Sequence, residues 1–243
     1  MNKKTMASCF GLLALSWGTG GCFLGSVKAE DVAVIKGVVH FQGTPPAPQK
    51  IQMTADPQCL AAHKNAAVSE EVVVGEHGGL ANVFVYVKSG LEGKTLPAPT
   101  DKVTIEQKGC LYLPHVIGVQ VGQKLEILNS DPTMHNVNAR PKSNQGFNFA
   151  QPIQGMKSVR TFLLPELMIP LKCDIHPWMH SFVNVVPHPY FFVSNAAGQF
   201  EIKSLPPGTY EIEAVHESLG SITQRVTVKP GETQTLDFTF PKP

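Results

Sequence analysis

From Val103 the chain alternates apolar and polar positions, Val-Thr-Ile-Glu-Gln, the period of a strand with one face buried. A second apolar run, Ile117–Val121, meets a turn at Gly122 and resumes at Leu125–Asn129. Further β-prone runs stand at 158–164, 169–172 and 182–186, and nothing between 101 and 187 sustains a 3.6-residue apolar period. The flanks have the same strand character. Val34–Phe41 runs into the turn Gly43-Thr44-Pro45-Pro46, and Ala81–Val87 is a second strand; Tyr190–Val193, Gly198–Ile202 and Leu205–Ile212 follow the central region. With 20 prolines and 21 glycines spread between these runs, the pattern predicts an all-β protein.

The 243 residues allow one large or two small domains, each with a real core. The N-terminus adds an export signal. Lys3-Lys4 is the positive start, Phe10–Leu15 the apolar heart and Val27-Lys28-Ala29 a small-x-small cleavage site, so residues 1–29 read as a signal peptide. A rival is lipid attachment at Cys22, although Thr19 makes a poor lipoprotein box. No apolar run is long and unbroken enough for a transmembrane helix. The expected location is periplasmic or secreted. Three of the 20 basic residues fall in the leader, leaving fewer than the 19 acidic ones, and no clustered basic face suggests nucleic acid as a partner.

The chemistry concentrates in Cys173-Asp-Ile-His176-Pro-Trp-Met179-His180, with His135 upstream in Asp131-Pro-Thr-Met-His-Asn-Val137. A thiolate, two imidazoles and a weak axial thioether form the ligand set of a blue-copper electron-transfer site. Taken singly, a Cys or Met in a β-protein is ordinary core packing. The spacing Cys-x-x-His-x-x-Met lifts all three above that reading, so the candidate metal ligands are His135, Cys173, His176 and Met179. His180 could replace Met179 as the axial group or simply lie at the surface. His115 follows Pro114 on a neighbouring turn, and His40, His63, His77, His188 and His216 lack paired spacing and read as structural or solvated. Zinc is open on ligand type alone. No His-x-His pair for a multicopper cluster and no Cys-x-x-Cys-His for covalent haem occurs. If Cys173 holds metal, Cys59 and Cys110 remain as a pair that an oxidising compartment would join; two buried free thiols are the alternative.

Residues 101–187 resemble the cupredoxins. The Val-x-Ile strand, the turn ending in Val121-Gly122, the His135-Asn-Val ligand and the final Cys loop all follow that layout, and the loop itself looks like that of the amicyanins. The resemblance implies a Greek-key β-sandwich with His135, Cys173 and His176 equatorial and Met179 axial to one copper. It also implies that the edge of His176 reaches the surface, ringed by Pro177 and Trp178, as a docking patch for a transient redox partner such as a dehydrogenase or a c-type cytochrome. Asn136 could tie the two ligand loops together, although Asp174 stands where the family commonly has a small hydroxyl residue.

The flanks resemble a different family. Gly198-Gln-Phe200 followed by Leu205-Pro-Pro-Gly208-Thr-Tyr210 is similar to the carboxypeptidase-regulatory-like, transthyretin-like sandwich, whose opening strands appear instead at Gly37–Val39 and Ala81–Val85. The arrangement this favours is one small sandwich built from 30–100 and 188–243, with the copper domain 101–187 inserted. Two independent terminal pieces are the alternative. The functional expectation is an exported type 1 copper protein carrying single electrons. It is not an enzyme, since four protein ligands leave no open position for substrate. The alternatives are a copper carrier or buffer, and an envelope- or polysaccharide-binding sandwich with an incidental metal site.

Overall fold

The computed structural model describes residues 32–94 and 96–242. The leader expected at 1–29, with the rival acylation at Cys22, lies outside the described residues. The fold is all-β. Two strands come first, β1 (Ala33–Gln42) and β2 (Phe84–Ser89), separated by a five-residue helix α1 (Pro57–Ala61). Then follow β3 (Val103–Lys108), β4 (Leu111–Leu113), β5 (Val116–Gln120), β6 (Lys124–Asn129) and β7 (His135–Ala139). After them come β8 (Phe147–Gln151), β9 (Lys157–Thr161), β10 (Glu166–Lys172) and β11 (His180–Val186). The C-terminal strands are β12 (Phe191–Val193), β13 (Gln199–Leu205), β14 (Gly208–His216), β15 (Gly220–Val228), β16 (Thr233–Thr235) and β17 (Phe238–Pro241).

Pairing divides these strands by position in the chain. β1 is antiparallel to β13 and parallel to both β16 and β17; β2 lies between β12 and β14, with β15 beyond. The first and last thirds of the chain thus share two sheets. Their inner faces bury Ile35, Val39, Phe200, Tyr210, Ile212, Phe238 and Phe240 in one core. The segment between forms its own two sheets, β4-β3-β6-β9 and β5-β11-β10-β7-β8. These enclose a second core of Ile105, Tyr112, Leu125, Ile127, Val137, Ile169 and Val183. Full burial of each such large side chain is worth about 1.5–3 kcal/mol.

The two sandwiches meet through the outer face of β2. Phe84 and Tyr86 pack there with Val116 and Val186, which explains why β2 is buried on both faces and reads as a continuous apolar run. Gly118 on β5 permits the approach: a Cβ there would lie 2.5 Å from the Phe191 ring and 2.7 Å from the Phe84 ring. Among the described residues no helix is long and apolar enough to cross a membrane.

Candidate metal centre

The loop 173–179 joins β10 to β11, and its backbone closes on itself. Cys173 N–H donates to the Met179 carbonyl (3.1 Å) and Met179 N–H to the His176 carbonyl (2.9 Å). His135 opens β7, which pairs with β10 through Asn138–Lys172 and so stands beside the loop. All four predicted ligand side chains are buried, none more than 2% exposed. The Nδ1 atoms of His135 and His176 lie 3.1 Å apart, and His176 Nδ1 is 3.7 Å from Cys173 Sγ. The donor atoms of His135, Cys173 and His176 all fall within 4.8 Å of one another. Met179 packs in the same core as Cys173.

Each imidazole is held from behind by a carboxylate. Asp131 Oδ2 lies 2.8 Å from His135 Nε2, and Asp56 Oδ2 lies 3.1 Å from His176 Nε2. A carboxylate on the far nitrogen fixes both tautomer and ring orientation and makes the near nitrogen a better donor. The thiolate is prepared as well, by the Asn136 N–H that donates to Cys173 Sγ at 3.4 Å. Burial pushes the Cys173 thiol up, but hydrogen bonds from His135 and from backbone N–H groups outweigh it and leave the group below the ordinary thiol range. Burial likewise opposes charge on Asp131, yet His135 and the N–H groups of Cys110 and Gly109 hold its carboxyl low. His135, penalised by burial, is raised above the ordinary imidazole value by Asp131 and Cys173. His176 is lowered, by burial first and by the neighbouring His135, against the pull of Asp56. A low-pKa sulfur facing two oriented nitrogens fits a soft, thiolate-binding metal.

Asn136 ties the ligand loops together. Its Oδ1 accepts from Asp174 N (3.0 Å), while its Nδ2 donates to the Phe149 carbonyl (3.4 Å) and to Asn148 Oδ1 (2.5 Å). Asp174, in place of a small hydroxyl residue, turns its carboxylate to Asn138 (3.0 Å) and Asn148 (3.1 Å), adding polar contacts between β7, β8 and the loop.

One expectation is corrected. His176 does not reach the surface; it is 2% exposed. The segment before α1 covers it. Asp56 caps α1 with Oδ1, accepting from Gln58 N (2.8 Å) and Cys59 N (3.4 Å), and uses Oδ2 for His176 and for Thr133 Oγ1 (3.0 Å). Cys59 is disulfide-bonded to Cys110, and its sulfur lies 3.6 Å from His176 Nε2. Trp178 turns inward too: its indole N–H donates to the Cys110 carbonyl (3.1 Å) and its ring centroid is 5.2 Å from that of His176. Pro177 alone of the expected ring stays exposed.

Sequence reasoning missed Asp56 and gave Asp131 no role. The Asp56-Pro57 pair is a readable helix start, a capping side chain before a proline in the first turn. Nothing in it points to a histidine 120 positions away. Asp131 also accepts from the N–H groups of Gly109 (2.7 Å) and Cys110 (2.8 Å), which form the β3–β4 turn with φ of 60° and 55°. Two successive left-handed residues are the geometry of a tight hairpin, and here they aim both N–H groups at one carboxylate.

The other histidines separate from the centre. His63 contacts the Gly109 carbonyl (2.6 Å), His188 donates to the Val87 carbonyl (2.7 Å), and His216 Nδ1 accepts from Ser218 N (3.2 Å). His40 is half-buried in β1 and His77 is exposed. His180 belongs to another cluster, with His115 and Glu217.

Residues 183–241 match the family model of the carboxypeptidase regulatory-like domain. The match takes in β12–β17 and does not include β1 and β2, which pair with those strands. No curated protein matches the chain. Among solved structures, the chain is similar to a copper-containing nitrite reductase from Thermus scotoductus SA-01 (23% identity, TM-score 0.30), over 40% of this chain and 24% of that one. It is similar to a purple cupredoxin from Nitrosopumilus maritimus (20% identity, TM-score 0.30; 34% and 97% covered). A copper(I) form of an amicyanin variant is a third (16% identity, TM-score 0.32; 42% and 97% covered).

Proposed function

We propose that this chain is an exported type 1 copper protein that carries single electrons, with residues 101–187 as the copper-holding domain inside a carboxypeptidase-regulatory-like sandwich. The observation that carries this reading is the convergence of Cys173 Sγ with the Nδ1 atoms of His135 and His176, each imidazole braced by a buried or half-buried carboxylate. Met179, buried in the same core, would supply the fourth, thioether donor. Bound copper supplies a one-electron couple between Cu(I) and Cu(II). The protein's own part is to keep the donors rigid and buried: Asp131 and Asp56 fix the imidazoles, Asn136 N–H holds the sulfur, and two backbone hydrogen bonds close the loop. With four protein donors no position remains for substrate, so the chain acts as a carrier and not as an enzyme. Its location is the periplasm or the cell exterior, where the Cys59–Cys110 disulfide persists. Its partners are transient redox proteins, a dehydrogenase or a c-type cytochrome.

The test is a visible absorption spectrum of the mature protein with stoichiometric Cu(II), repeated with Cys173→Ser. An intense thiolate-to-copper band, bleached by ascorbate and absent from the variant, is the expected result. A colourless protein that still holds metal would sink the electron-carrier reading.

The burial of His176 favours a second reading, a copper carrier or buffer whose metal is shielded from rapid exchange of electrons. Asp56→Ala separates the two. If electron transfer is the task and Asp56 with its capped helix gates it, loosening that cover speeds reduction by a small protein donor in stopped-flow mixing. If storage is the task, the variant releases copper to a chelator faster with no change in reduction rate.

A further inference from the structure

We propose a second metal site, formed by His115, His180 and Glu217 and taking a divalent first-row cation of the zinc or copper(II) kind. It is independent of the copper reading above. Its three residues come from separate parts of the chain: His115 immediately precedes β5, His180 opens β11, and Glu217 sits in the turn between β14 and β15. One donor atom from each lies within 4.8 Å of the other two. His115 is 4% exposed and hydrogen-bonded to Glu217, whose side chain is 7% exposed. The two imidazoles stand edge to face with ring centroids 5.2 Å apart.

The orientation of His180 is what lifts this cluster above an ordinary buried His–Glu pair. Its Nδ1 is 3.1 Å from the Trp178 carbonyl, which can only accept, so Nδ1 carries the proton and Nε2 is left as a lone-pair donor. A backbone carbonyl on one nitrogen is the usual way a protein sets the tautomer of a metal-binding histidine. His115 and His180 also line one cleft together with Tyr112, Pro177, Trp178 and Glu70. Two imidazoles and a carboxylate suit zinc or copper(II) better than magnesium or calcium, which take oxygen ligands. Three protein donors leave a fourth position for water.

Such a site would join the turn at Glu217, in the sandwich built from the flanks, to β5 and β11 of the inserted one. It would also share the loop of the first centre, since His180 directly follows Met179.

The experiment is calorimetric titration of Zn2+ into the full mature chain carrying Cys173→Ser, which removes the thiolate of the first centre. Expected is one zinc equivalent whose affinity falls at least about tenfold on adding His180→Ala, and again on adding Glu217→Gln instead. Circular dichroism checks that each variant is folded, and Glu217→Gln, nearly isosteric, stands in should His180→Ala not be. Zinc affinity unmoved by both substitutions would place the ion on His135 and His176 and overturn the proposal. So would the absence of zinc binding. Because the titration is done without the Cys173 thiolate, neither result bears on the colour test of the copper centre.

Discussion

The two sandwiches have similar apolar cores but use their buried polar positions differently. In the one made from the flanks, the fully buried positions of β1, β13 and β17 are aliphatic or aromatic, Phe200, Phe238 and Phe240 fill the space between sheets, and the buried polar groups His188, Ser194, Glu213 and His216 lie on β14 or in the segments flanking β12. In the inserted one, Gln107, Asn129, Asp131, Asn138, Gln151 and Asn184 are all buried. Four of them form a chain of contacts that ends at a ligand: Gln107 donates to Gln151, Asn129 Nδ2 donates to the Gln151 carbonyl (2.9 Å), and Asn129 Oδ1 accepts from Asp131 N (2.9 Å). Asp131 then holds His135. Burying such groups costs stability unless each is partnered. The first core gains stability by excluding water; the second gives some of that up to fix two imidazoles and a sulfur.

The largest expected effect lies in the apolar core. Phe238 is 0% exposed, on a strand paired to β1. Phe238→Ala should cost about 3–5 kcal/mol in denaturant unfolding, through lost burial and a cavity. The visible spectrum of the copper-loaded protein should be unchanged wherever the variant is folded. An altered band would mean that the two cores are coupled and would break the contrast drawn above. A smaller change belongs to the polar network. Asp131→Asn keeps the shape but removes the charge behind His135, and copper affinity by chelator competition should fall roughly 10- to 100-fold. Stability of the metal-free protein should move less than in Phe238→Ala. If Asp131→Asn instead unfolds the chain, the carboxylate serves the β3–β4 turn more than the ligand.

Much of this was legible in the chain. The Cys173–Met179 spacing placed three candidate ligands on one loop, because a loop's ligands are neighbours in sequence. Alternation marked β3, and apolar runs bounded by turn residues marked β5, β6 and β1. What stayed hidden depends on distant contacts. Asp56 meets His176 across 120 positions, and His115 meets Glu217 across 102, with no local pattern to announce either pairing. The burial of His176 follows from the first of these, so a family resemblance that placed its edge at the surface could not foresee the cover. β7 and β8 were missed as strands for a related reason. Their sequences, His-Asn-Val-Asn-Ala and Phe-Asn-Phe-Ala-Gln, are rich in Asn and short, and pairing with β10 and with each other decides their conformation.

The smallest effect concerns acid, and it lies in the flank region away from every candidate ligand. His188 is 6% exposed, with Nε2 donating to the Val87 carbonyl and Nδ1 accepting from Tyr190 N (3.3 Å). Both nitrogens are therefore satisfied only in the neutral ring; a proton on Nδ1 would face an N–H donor. Burial is the main cause that lowers its pKa below the ordinary imidazole value, against the opposing pull of the Val87 carbonyl. In the window below about pH 6.5 the unfolded chain binds a proton that the folded one does not. The stability held above that value is thus lost as the pH falls toward the folded pKa. His188→Gln keeps a donor for Val87 and has no charge to gain. Its unfolding midpoint should fall less steeply than that of the parent between about pH 7 and pH 5. Parallel curves would mean that His188 titrates alike in both states, and the acid response of the protein would then belong to the polar network of the inserted sandwich.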